Sequence, residues 1–68
     1  MRVDWATLTQ AGARRLLGAA ERAERKAAER FNATGADADE SAMLAAYMLW
    51  ENLKVFSLTG ERPEGVGA

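Results

Sequence analysis

Apolar or small residues recur at steps of three and four along the first half of the chain: Trp5, Leu8, Gly12, Leu16, Ala19/Ala20, Ala23, Ala27 and Phe31. That spacing places them on one face of an α-helix and predicts a first helix over about 4–33. Asp4 is the expected N-cap, its carboxylate accepting from the free N–H groups of the first turn. Val3 and Leu8 then occupy the two positions of a hydrophobic staple. Thr7, with Gln10 three residues on, is a competing start, but Asp4 brings Trp5 and Leu8 into the helix. The middle of the stripe is glycine and alanine, which let another helix approach but bury little area. Gly12 and Gly18 each weaken a helix by ~1 kcal/mol relative to alanine, which makes a kink or break possible near either.

Asn32 to Ala36 reads as a turn, with Gly35 able to take the left-handed conformation that closes a helix. A second helix is predicted over about 38–58, opening at Asp37 with Glu40 as its capping-box partner. Asp37, Asp39 and Glu40 all stand where the positive end of the helix dipole favours acids. The inner stripe of this helix is Ala42, Ala46, Leu49, Leu53 and Phe56, stepping by four, three, four and three like the seam of a coiled coil. Thr59-Gly60 ends it, Gly60 being a natural residue just past a helix. The fold class expected is therefore all-α, an antiparallel two-helix hairpin over 1–60 with a polar, glycine-containing tail over 61–68.

The second helix carries more apolar residues than one seam can use. Met43, Leu44, Tyr47, Met48, Trp50, Val55 and Leu58 lie off the inner stripe. A helix apolar nearly all round is normally covered nearly all round, and one neighbouring helix covers one stripe. Chains below ~70 residues also rarely draw more than a few kcal/mol from a single core. The hairpin is thus expected to be completed by oligomerisation or by docking on a larger protein. Met43, Leu44, Tyr47, Met48, Trp50 and Val55 are the candidate partner-binding residues. The alternative is a self-contained three-helix fold, with the first helix broken near Gly12 or Gly18 and folded over the second.

Charge is segregated between the helices. Asp4 to Ala33 holds six bases and four acids, whereas Asp37 to Leu58 holds four acids and one base, within a chain of net charge −1. At ~100° per residue the six bases span roughly 160° of arc, which could track phosphates. Arg15, Arg22, Lys26 and Arg30 are the candidate nucleic-acid residues of that second reading. Against it, Glu29 lies inside the arc, and arginine stems also serve to shield an alanine seam.

Composition limits the chemistry. The 68 residues include no cysteine and no histidine, which removes the most reactive nucleophile, the commonest general base and the usual zinc ligands. Glu51 is the one acid embedded in the apolar part of the second helix. Where a helical-bundle carboxylate metal site would place a histidine three residues on, this chain has Lys54, so a local Glu51–Lys54 ion pair is expected instead. No enzyme activity, cofactor or metal is assigned. The longest unbroken apolar run, Ala42 to Trp50, is nine residues, against the ~20 needed for a membrane span. No targeting signal is apparent, so the expected location is the cytoplasm or a soluble assembly. The functional expectation is a non-enzymatic structural or accessory subunit acting through helix-mediated protein–protein association, or a small inhibitor or adaptor. The alternative class is a nucleic-acid-binding hairpin dimer.

Overall fold

The computed structural model describes residues 1–63. It contains two helices, α1 (Gln10–Thr34) and α2 (Asp37–Thr59), packed antiparallel as a hairpin, and no strand among the described residues. Residues 64–68 of the expected tail lie outside the described residues.

The turn between the helices forms where the pattern places it. Gly35 closes α1 with φ +64°, its N–H donating to the Phe31 carbonyl at 2.7 Å. Gly60 closes α2 in the same way, with φ +77° and a 2.8 Å bond to the Phe56 carbonyl. Both positions demand a left-handed backbone, which glycine adopts without a Cβ penalty. The capping box expected at Asp37 is not formed. Ala36 is the N-cap of α2 and makes no side-chain cap bond. The Thr34 hydroxyl instead donates to the Asp39 carboxylate and accepts from the Ala36 N–H at 3.2 Å, knitting the turn from the α1 side. Asp37, Asp39 and Glu40 still occupy the first turn of α2, where the helix dipole favours them.

The start of α1 departs from the pattern. Asp4 does cap a turn, its carboxylate accepting from Ala6 N–H at 3.2 Å and its carbonyl from Leu8 N–H at 3.1 Å. That turn ends after one round. Thr9 is extended, at φ −98° and ψ 162°, and its hydroxyl caps α1 by accepting the Gly12 N–H at 3.0 Å. The chain therefore bends at Thr9, and α1 begins at Gln10 rather than Asp4. It then runs unbroken through both Gly12 and Gly18. The physical gain lies in the bend. A straight helix from Asp4 would carry Trp5 beyond the end of α2, whereas the bend folds Val3, Trp5 and Leu8 back onto the core.

The core sits at the end of the hairpin where α1 begins and α2 ends. Ala13, Ala20, Leu53 and Phe56 are buried, with Val3, Trp5, Leu8, Leu16, Leu17, Leu49 and Trp50 packed around them. The inner face of α1 is thus centred on Ala13, Leu17 and Ala20, slightly rotated from the predicted stripe. Trp5 meets Phe56 edge to face, ring centroids 5.9 Å apart. Arg62 closes the arrangement from the other terminus. Its guanidinium donates to the Trp5 carbonyl at 2.7 Å and the Leu8 carbonyl at 3.4 Å, and lies 5.1 Å from the Phe56 ring centre. Ser57, also buried, donates its hydroxyl to the Lys54 carbonyl at 2.7 Å and so leaves no polar atom orphaned. The three-helix alternative is not formed: α1 is unbroken at Gly12 and Gly18, and the segment that folds back is an irregular strap ahead of Thr9.

Candidate protein-interaction face

Once α1 and the strap are in place, α2 still shows an apolar face to solvent. Leu44 (50% exposed), Tyr47 (47%), Met48 (62%), Val55 (41%) and Leu58 (72%) carry it. At ~100° per residue these five fall within about 100° of arc, on the side of α2 away from Leu53 and Phe56. Leu44, Met48, Glu51, Val55 and Leu58 step by four, three, four and three, the spacing of a coiled-coil seam. α2 therefore carries two seams, one used inside the hairpin and one facing out.

The candidate partner-binding residues divide accordingly. Leu44, Tyr47, Met48 and Val55 belong to the outward face. Trp50 packs against the core and Met43 is half-buried, so both flank the face rather than form it. Leu58, the most exposed large apolar residue, completes the outward seam and was not among the candidates. Its four-three spacing from Leu44 through Val55 was the available signal; its position at the helix end disguised it.

Polar neighbours set the character of the face. Glu51 stands at the centre of the seam and is exposed. The expected Glu51–Lys54 pair is absent, because the Lys54 ammonium sits 5.1 Å above the centre of the Trp50 ring. The ion pairs among the described residues are Arg25–Glu21 at 3.4 Å and Arg30–Asp39 at 3.6 Å. Hydrogen bonding to Glu51 raises the pKa of the Tyr47 phenol above its ordinary value of 10.0, and repulsion from the Glu51 charge, burial and the Glu24 charge add to the effect. Tyr47 also packs tilted against Trp50, with ring centres 6.1 Å apart. The face is thus apolar with an acidic centre.

Two other surfaces stand apart from this face. An open groove of about 320 Å³ runs beside the helix–helix seam, lined by Ala20, Ala23, Ala42, Ala45, Ala46 and Leu49, with Met1 at its edge. Its walls are nearly all alanine, because small residues at these positions leave space that α1 and α2 cannot fill. On α1, Arg15, Arg22 and Lys26 share one outward face, but Arg30 is drawn aside to Asp39. Arg22, Arg25, Lys26 and Glu29 line a shallow depression there, the acid standing among the bases. No group of three or more acidic residues converges as a metal site would require, and no helix is long and apolar enough to cross a membrane, among the described residues. No protein family, curated protein or solved structure matches the chain.

Proposed function

We propose that this protein is a non-enzymatic accessory or structural subunit that works by docking the outward face of α2 against a helix of another polypeptide. One observation supports this above all: five large apolar side chains remain exposed on one side of a helix whose other side is already packed. A monomer of this size does not gain by leaving such a stripe in water. The seam spacing matches recognition in which a helix face is read at steps of three and four residues. Tyr47 and Met48 suit the role, the one as an amphipathic anchor, the other as an adaptable packer.

Photo-crosslinking in cells that express the chain tests this reading. A photoreactive residue at position 48 should give one discrete protein adduct, and Val55→Asp in the same chain should abolish it. The same probe at position 22 on α1 should give none. Adducts from position 22 with none from position 48 would reverse the assignment of faces.

A second reading rests on the shared face of Arg15, Arg22 and Lys26, none of which is engaged in an ion pair among the described residues. Nucleic-acid binding through it would show in Arg22→Ala as weaker binding and a salt slope reduced by about one.

A further inference from the structure

We infer that the outward seam of α2 accepts a basic amphipathic helix of a different protein, and that Glu51 enforces this by preventing the seam from pairing with its own copy. The inference rests on the association reading above and concerns only who the partner is.

Symmetry limits how the seam can pair with its own copy. Leu44, Met48, Glu51, Val55 and Leu58 form the seam, and Glu51 is its midpoint. In an antiparallel two-fold pair that uses the whole stripe, Leu44 faces Leu58 of the other copy and Glu51 faces Glu51. In a parallel pair each position meets its equivalent, so Glu51 again meets Glu51. Sliding an antiparallel pair to the neighbouring registers puts each carboxylate against Met48 or Val55 and uncovers one end of the stripe. Every self-pairing thus drives carboxylates into a closing apolar contact, which is unfavourable unless a cation accompanies them.

Among the described residues no such cation is free on this face. Lys54 is engaged with the Trp50 ring, and the other charges on this side are acidic: Asp37 and Glu40 on α2, and Glu24 of α1 near Tyr47. The outward face of α1 does supply bases, Arg15, Arg22 and Lys26, but between them stand Ala11, Gly18 and Glu29. It has no large apolar side chains to fill the spaces around Leu44, Met48 and Leu58, so the seam finds its match on neither outward helix face of a second copy. A helix with large apolar residues at the seam positions and a lysine or arginine opposite Glu51 satisfies both the area and the charge. A single polar residue within an apolar seam sets register and partner in this way.

The test uses the full chain and two three-heptad helical peptides. Both carry leucine at the seam positions and differ only at the central one, lysine in one and glutamate in the other. The wild-type chain should sediment as a monomer at high micromolar concentration, and Glu51→Leu should sediment as a dimer. Fluorescence anisotropy should show the lysine peptide binding the wild type at least about tenfold more tightly than the glutamate peptide, as expected for one close charge pair. Glu51→Lys should reverse that order. Glu51 is exposed, so circular dichroism of all three chains should be unchanged, and Glu51→Gln should fall between wild type and Glu51→Leu. Wild-type dimers dispersed by Met48→Glu, or equal binding of the two peptides, would overturn the role of Glu51 while leaving association through α2 standing. A Glu51→Leu chain that stays monomeric and binds neither peptide would overturn both.

Discussion

The two ends of the hairpin are built from similar helices and finish very differently. Where α1 starts and α2 ends, Ala13, Leu53, Phe56 and Ser57 are buried. Toward the Gly35 turn, Phe31, Ala27, Met43 and Ala46 reach only partial burial. The distinction is not helix quality, since α1 and α2 are continuous through both regions. It is a third layer. The strap of Val3, Trp5 and Leu8, held by Arg62, covers one end and leaves the other two helices deep. Two helices alone exclude water from a single line of contact, and full burial needs a surface on another side of that line.

Substitutions at the two ends sharpen this contrast. The largest effect should come from Leu53→Ala. Leu53 is fully buried, and truncating such a residue costs about 2–5 kcal/mol, comparable with the whole stability of a chain this size. Phe31→Ala at the turn end should cost less, about 1–2 kcal/mol, because its ring is only partly buried. Urea unfolding of the two variants measures the difference, and equal losses would show that the ends are equally closed.

Removing the third layer comes next. Trp5→Ala should destabilise by about 2 kcal/mol, combining lost area with the edge-to-face contact to Phe56. Arg62→Ala should cost about 1 kcal/mol through its hydrogen bonds to the Trp5 and Leu8 carbonyls. In both variants amide exchange should accelerate in residues 3–8 before it does near Gly35. A strap whose protection survives Trp5→Ala would not be held by that contact.

The caps give a smaller and opposite pair. Thr9→Ala removes the α1 cap bond and should cost about 1 kcal/mol. Ala36→Ser supplies α2 with the side-chain cap it lacks and should add up to about 1 kcal/mol. Thermal or urea denaturation reads both signs, and a loss on Ala36→Ser would mean that the Thr34–Asp39 bridge already fills the role.

The smallest effect concerns Tyr47. Its raised pKa means that the fold favours the neutral phenol, so any stability it confers is present below pH 10.0 and lost as pH rises through the folded value. The phenol's ultraviolet absorbance should titrate above 10.0 in the wild type, and Glu51→Gln should lower the midpoint. An unmoved midpoint would remove Glu51 as the cause.

Much of this architecture was legible along the chain. Gly35 and Gly60 announced the helix ends because both sit after a periodic segment at positions that require a left-handed backbone. The surplus of apolar residues on α2 was equally plain, and the exposed seam consists largely of residues it singled out. The capping box at Asp37 was misleading, since Thr34 offers a hydroxyl from the preceding helix and competes for the same turn. Glu51–Lys54 was misleading for a similar reason, as an adjacent aromatic face drew the ammonium away.

The amino-acid sequence by itself determined the number of helices, their turn, their ends at glycine and the doubly apolar character of α2. These follow from periodicity and backbone preference, which act over three or four residues. Only the tertiary structure decided that the chain bends at Thr9 and that Arg62 ties the two termini together. Those choices depend on contacts between residues more than fifty positions apart, such as Trp5 with Phe56 and Arg62. A local cap at Asp4 could start a helix there, but folding Trp5 back over Phe56 buries more apolar area than a protruding turn would.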